Sequence, residues 1–155
     1  MGTTDHAPKK LAANRKALFE YSVLQRFEAG IELFGTEVKS VKGGSASLVG
    51  GFAREDGGQV WLHGINIPPY EQGNRFNHAP DRPRRLLLHK REIEKLAAQT
   101  QQKGFSLVPL SLYLKRGIIK VELGLCKGKT HADKRETLRR KTEDLEIRRT
   151  VASYR

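Results

Sequence analysis

Period-two alternation of apolar residues restricts this chain more than any other feature. Val108, Leu110, Leu112 and Leu114 recur at every second position, and Ile119, Val121, Leu123 and Leu125 do the same beyond Arg116-Gly117. Side chains two apart share one face of a strand, so these runs predict an antiparallel hairpin over residues 105–115 and 118–126. Upstream, Phe19, Tyr21, Val23, Phe27, Ile31 and Leu33 keep much the same period, which predicts a long strand bent near Gly30. Residues 46–55 and 59–67 flank Asp56-Gly57-Gly58, a hairpin turn signal because glycine tolerates positive φ. Five or six antiparallel strands must dispose of their edges, and closing into a small barrel removes them. The expected fold is therefore mostly β, with an oligonucleotide-binding (OB)-type barrel as the leading architecture.

Helices are expected in two places between the strands. Thr36 to Lys42 offers a threonine cap, Glu37 in the first turn and a stop at Gly43-Gly44. Within residues 88–103, Ile93, Leu96, Ala97 and Thr100 fall at helical spacing, and Gly104 supplies the stop. Residues 68–83 hold four of the six prolines and predict a long loop. Residues 1–13 read as a flexible basic arm, 14–127 as the barrel and 128–155 as a basic tail.

Charge narrows the partner. Lys and Arg number 29 against 17 Asp and Glu, a formal charge of +12. Phosphate is the natural counter-ion for such a surface, which favours nucleic acid over an anionic membrane. No uncharged apolar run is long enough for a membrane span and the first residues lack a signal-peptide core, so a cytoplasmic protein with no membrane partner is expected. The same charge disfavours self-association and points to a monomer. Cys126 stands alone, which excludes an intrachain disulfide and zinc-ribbon spacing.

Two basic stretches stand out. Arg82, Arg84, Arg85, Lys90 and Arg91 surround Leu86-Leu87-Leu88 with no acid between them, and Lys127, Lys129, Lys134 and Arg135 follow the last strand. Contacts from such residues to phosphate give affinity and salt dependence without reading sequence. From Lys127 to Arg155, ten Lys or Arg stand against five Asp or Glu, a net of +5. Drawn as one helix, that tail puts Leu138 and Leu145 within about 20° of each other but Val151 and Tyr154 roughly opposite, so it has no stripe to dock on the barrel. A tail disordered alone and helical on a polyanion is expected. An enzyme is not: His63, His78 and His89 lie in separate segments without metal-site spacing, and a hydrolase built on His63, His78 and Asp81 lacks paired carboxylates. No cofactor is implied. A basic structural ribosomal RNA-binding protein is the alternative to a dedicated RNA adaptor.

Five motifs carry a specific resemblance: Glu28-Ala29-Gly30-Ile31, Gly35-Thr36-Glu37-Val38-Lys39-Ser40, Arg85-Leu86-Leu87-Leu88-His89, Val108-Pro109-Leu110-Ser111-Leu112-Tyr113, and Gly128-Lys129 followed by Asp133-Lys134-Arg135. In this order the chain resembles the SsrA-binding protein family, also called small protein B. The resemblance implies a six-stranded OB-type barrel with three short helices. It implies binding to the tRNA-like domain of transfer-messenger RNA (tmRNA, SsrA RNA) and delivery to stalled ribosomes for trans-translation. Elongation factor Tu with the aminoacylated tmRNA, and the ribosome with its 16S rRNA near the decoding site, are the implied partners. By motif, Glu28, Leu87 and Lys120 match RNA-contacting positions, with Asn14 and Tyr21 near the same surface; Arg85, Lys127, Gly128 and Lys129 extend the RNA-binding set. Gly128, Asp133, Lys134 and Arg135 match the junction that leads the tail into the decoding region. Phe19 stands where many relatives carry histidine, and Thr142-Glu143-Asp144 where some carry a tail tryptophan, so those contacts are not carried over.

Overall fold

The computed structural model describes residues 8–70, 78–102 and 104–153. Seven strands and four helices follow one another: β1 (Lys9–Ala13), α1 (Arg15–Glu20), β2 (Tyr21–Ile31), α2 (Gly35–Lys42), β3 (Phe52–Asp56), β4 (Gln59–His63), β5 (Arg84–Leu87), α3 (Lys90–Thr100), β6 (Phe105–Lys115), β7 (Ile118–Gly128) and α4 (His131–Ser153). All the strand pairings are antiparallel. The ladder runs β6-β3-β4-β5-β2-β7 and returns to β6 through the β6–β7 hairpin, so six strands close on themselves. The expected six-stranded barrel with three short helices is what the chain forms.

Three boundaries differ from the sequence reading, each for a physical reason. The arm expected over residues 1–13 lies partly outside the described residues, but its last five residues are β1, paired with β6 from Lys9↔Leu114 to Ala13↔Ser111. That strand is made by backbone pairing to a distant partner, and nothing local announces it. The strand expected from Phe19 begins at Tyr21, because Asn14 caps a one-and-a-half-turn helix first: its side chain accepts from the Ala17 N–H at 3.2 Å. Residues 46–51 and 64–67 leave the hairpin ladder save for a Ser47↔Asn66 bridge. There a side chain at Gly51 would stand 2.7 Å from Ile65, and Gly64 sits at φ +75°. The centre of the proline-rich loop lies outside the described residues.

Inside the barrel, Val60, Leu62, Leu86, Leu112, Val121 and Leu123 are fully buried. A second, smaller cluster of Ala17, Val108, Leu110 and Cys126 lies where α1 covers β6 and β7. The alternation in β6 explains both. Its register shifts between Pro109 and Ser111, so Val108 and Leu110 face α1 while Leu112 returns to the barrel interior. The single face expected for Val108, Leu110, Leu112 and Leu114 is split in two by that bulge.

Candidate nucleic-acid interface

Register brings the first group of sequence-predicted residues together. Leu87 on β5 pairs with Gly30 on β2, Gly30 pairs with Lys120 on β7, and Lys120 pairs with Tyr113 on β6. Residues directly opposite one another present side chains to the same face, so one row crosses four strands on the outside of the barrel. Gly30 is the low point of that row: a Cβ there would meet the Leu87 Cβ at 3.1 Å. Leu87 is 48% exposed. Around it a groove of about 720 Å³ is lined by Glu28, Arg85, Leu87 and Lys120 from the strands and by His89 and Lys90 from the start of α3.

Glu28 is not a free acceptor in this groove. It accepts from the Tyr113 hydroxyl and from Lys115 Nζ at 3.2 Å. Tyr113 holds the Glu28 carboxyl below the usual carboxylate range, helped by Lys115 and Lys120 and opposed by burial. Burial and the same carboxylate push the Tyr113 hydroxyl well above its ordinary value, so it stays a donor. Tyr113 and Lys115 were missed in the sequence reading. Their signal was parity: both alternate with Leu112 and Leu114, which turn to the core, and so lie outward.

The basic cluster around the three leucines divides sharply. Arg84 has no exposed surface and belongs to the interior. Its guanidinium donates to Glu37 Oε2 at 2.7 and 2.9 Å, to Pro80 O at 3.0 Å and to Arg82 O at 2.9 Å. Arg82 also donates to Glu37 and lies 4.5 Å from the ring centroid of Phe34, which stacks on His78 at 3.8 Å. Burial raises the Glu37 carboxyl, but Arg82, the Phe34 N–H and Arg84 outweigh it and hold the group below its ordinary value. These residues tie α2 to β5 and to the loop before it. Arg85 faces outward and pairs with Glu32 at 2.7 Å, which leaves Lys90, Arg91 and Lys120 as the cations without an ion pair among the described residues near the groove.

Asn14 and Tyr21 do not share that groove. Tyr21 pairs with Gly128 and Gly30 with Lys120 on the same two strands, and the nine residue steps from Tyr21 to Gly30 separate the two ends by about 25–30 Å. They line a second groove of about 350 Å³ with Lys16, Val49, Phe52 and Val108. Asn14 is 2% exposed, and its amide donates to Leu48 O at 3.2 Å and Pro109 O at 2.9 Å. It builds this groove without reaching out of it. Lys127 and Gly128 are exposed at the end of β7. Lys129 donates to Leu18 O at 3.1 Å and to the Thr137 hydroxyl at 2.9 Å, fastening the start of α4 to α1.

Residues 131–153 form one helix, the form expected of the tail on a polyanionic partner. A capping box starts it. The Asp133 N–H donates to the Thr130 hydroxyl at 3.2 Å, and the Thr130 N–H donates to the Asp133 carboxylate at 3.2 Å. Pairs four apart support it, Arg140 with Glu136 at 2.8 Å and Arg139 with Glu143 at 3.9 Å. Leu138, Leu145 and Ile147 are more than half exposed, in keeping with the missing docking stripe. Lys134 and Arg135 follow Asp133 in the first turn, with Arg135 exposed. No described helix is long and apolar enough to cross a membrane. Cys126 is buried and its thiol is pushed up to about 11, which leaves it unreactive.

Such a molecule belongs to a definite class: a closed antiparallel barrel with outward grooves at both ends of one long strand pair, handing on to a charged helix held at α1. The pattern of the SmpB protein family matches residues 11–153, and the chain belongs to that family. It is 52% identical to the SsrA-binding protein of Shouchella clausii over 151 residues, 97% of this chain and 96% of that one. It is 53% identical to the SsrA-binding protein of Caldicellulosiruptor saccharolyticus over 146 residues, 94% of this chain and 92% of the relative. A chain of the solved structure described as "tmRNA-SmpB: a journey to the center of the bacterial ribosome" superposes with a TM-score of 0.63 at 42% identity, covering 86% of this chain and 94% of that one. Family and relatives agree with the expectation of a binding protein that is not an enzyme.

Proposed function

We propose that this protein binds the tRNA-like domain of tmRNA through the Leu87–Gly30–Lys120 row and delivers it to stalled ribosomes for trans-translation. The observation that carries the reading is that row: three separate strands bring an exposed apolar side chain, a bare backbone and a cation to one groove. Leu87 packs on an unstacked base, Gly30 admits the ribose-phosphate chain closely, and Lys120 pairs with phosphate. Glu28 accepts from a base amino group, in competition with Lys115. Arg85 adds charge at the rim. The relatives' name, SsrA-binding protein, supports this choice of RNA.

At the other end of β2 and β7, Tyr21, Lys127, Gly128 and Lys129 face the ribosome, with Asn14 shaping the groove from within. Asp133, Lys134 and Arg135 start the tail helix, which enters the vacant message channel beside the 16S rRNA of the decoding site. A separation of about 25–30 Å between the two ends supports a bridging role, one RNA at each end. The other partner in this reading is elongation factor Tu, which accompanies the aminoacylated RNA in the cytoplasm.

Filter binding across salt tests the groove. Lys120→Ala should weaken binding of the tRNA-like domain by about 1–3 kcal/mol and flatten the salt slope by about one unit; an isotherm unchanged at every salt concentration refutes it. Truncation after Asp133 tests the tail. RNA affinity should survive and tagging of stalled chains should be lost, and normal tagging by the truncated protein would overturn the assignment.

A further inference from the structure

Neither groove accounts for the surface between them. On β3, β4 and β5 the inward positions Ala53, Val60, Leu62, Arg84 and Leu86 are buried. The outward positions are Phe52 and Arg54, Trp61 and His63, and Arg85 and Leu87. Register sets them in rows. Phe52 pairs with His63, and Arg54 pairs with Trp61, which pairs with Arg85. The Phe52 and His63 rings stack with centroids 5.3 Å apart and planes 17° apart, and Phe52 remains 44% exposed. Phe52 also lines the second groove, while Arg85 and Leu87 line the first. The face is thus a continuous track from one groove to the other.

Its chemistry is specific. A barrel surface turned to water has no need of three aromatic rings side by side, and their flat faces offer what an unpaired base stacks on. Arg54 and Arg85 stand on either side of Trp61, and Arg54 is exposed with no ion-pair partner among the described residues. Cations beside stacked rings suit a sugar-phosphate chain whose bases lie on the rings. A duplex cannot use such a face, because its bases are already stacked within the helix.

We infer that the outer face of β3–β4–β5 binds a single-stranded stretch of RNA, its bases stacking on Phe52, His63 and Trp61 and its phosphates meeting Arg54 and Arg85. The inference rests on the RNA-binding reading above and adds to it a site between the two grooves, sharing Arg85 with the first and Phe52 with the second. It gives the chain a sequence-tolerant hold on unpaired nucleotides beside the folded RNA.

Trp61 is the chain's single tryptophan, so its emission reports on this face alone. Titrating the full-length protein with a short unstructured oligouridylate should quench Trp61 saturably, and a duplex of equal length should not. Phe52→Leu keeps an apolar side chain but removes the ring, and should weaken the oligouridylate about tenfold with an unchanged unfolding midpoint. His63→Gln is the second variant and should weaken it in the same direction. Absence of quenching, equal quenching by duplex, or unchanged affinity in both variants overturns the inference. Competition by a folded tRNA-like RNA, repeated with Lys120→Ala, separates the two readings. A Lys120-dependent preference for folded RNA without Trp61 quenching leaves the proposed function standing and removes this face. Quenching without that preference supports the face and removes the function.

Discussion

Adjacent leucines show how sharply one residue step divides structure from recognition. Leu86 is fully buried and Leu87 is 48% exposed, because neighbouring side chains on a strand point to opposite faces. Leu86→Ala should cost about 2–5 kcal/mol of stability, read by chemical denaturation, since it opens a cavity in the barrel core. Leu87→Ala should cost under about 1 kcal/mol in the same measurement while weakening RNA binding. If the two variants unfold at the same denaturant concentration, the assignment of faces is wrong. Gly30 makes the same point from the backbone side. A methyl group there sits 3.1 Å from the Leu87 Cβ, so Gly30→Ala displaces the side chain that we propose packs on the RNA. The parity that separates these residues was present in the sequence, and it also marked Arg84, two positions from Leu86, as inward. Grouping Arg84 with its neighbours by charge alone hid that signal.

At the scale of an element, the tail helix depends most on its first turn. Asp133 is the one acid there, and Lys134 and Arg135 beside it oppose the positive end of the helix dipole. The reciprocal bonds between Thr130 and Asp133 therefore hold the start of α4 against its own charge. Asp133→Ala should lower helicity in far-ultraviolet circular dichroism and cost the helix about 1 kcal/mol, whereas Asp133→Glu, which also completes a capping box, should retain most of the signal. Equal helicity in all three proteins would separate Asp133 from helix initiation. The sequence made the strands of the two hairpins and the helices α2 and α3 legible because period and turn residues are local. It did not reveal β1 or the bulge in β6. β1 is set by pairing with residues about a hundred positions away, and the bulge by a one-residue slip against β7 between Pro109 and Ser111; neither leaves a periodic trace in its own segment. The two-groove arrangement was hidden for the same reason: only register shows that Lys120 lies opposite Gly30 and Gly128 opposite Tyr21.

For the whole molecule, a charge of +12 makes each buried acid a point on which folding turns. Glu37 is 5% exposed and joins three parts of the structure: the Phe34 N–H at the start of α2, Arg82 in the loop, and Arg84 at the entry to β5. β5 in turn carries Arg85 and Leu87, so the groove is held in place by a buried ion pair that does not line it. In the folded chain the Glu37 carboxyl is held below its ordinary value, so the unfolded chain takes up its proton first as the medium is acidified. Its contribution to stability is complete above the ordinary carboxylate range and is lost as pH falls through the lower, folded value. Unfolding midpoints measured from neutral pH downward should fall across that window. Glu37→Gln should flatten this dependence, and at neutral pH it should cost about 3–5 kcal/mol because Arg84 is left buried without its counter-charge. A variant that matches the parent both in neutral stability and in acid sensitivity would show that the barrel closes without Glu37, and that the groove is positioned by strand pairing alone.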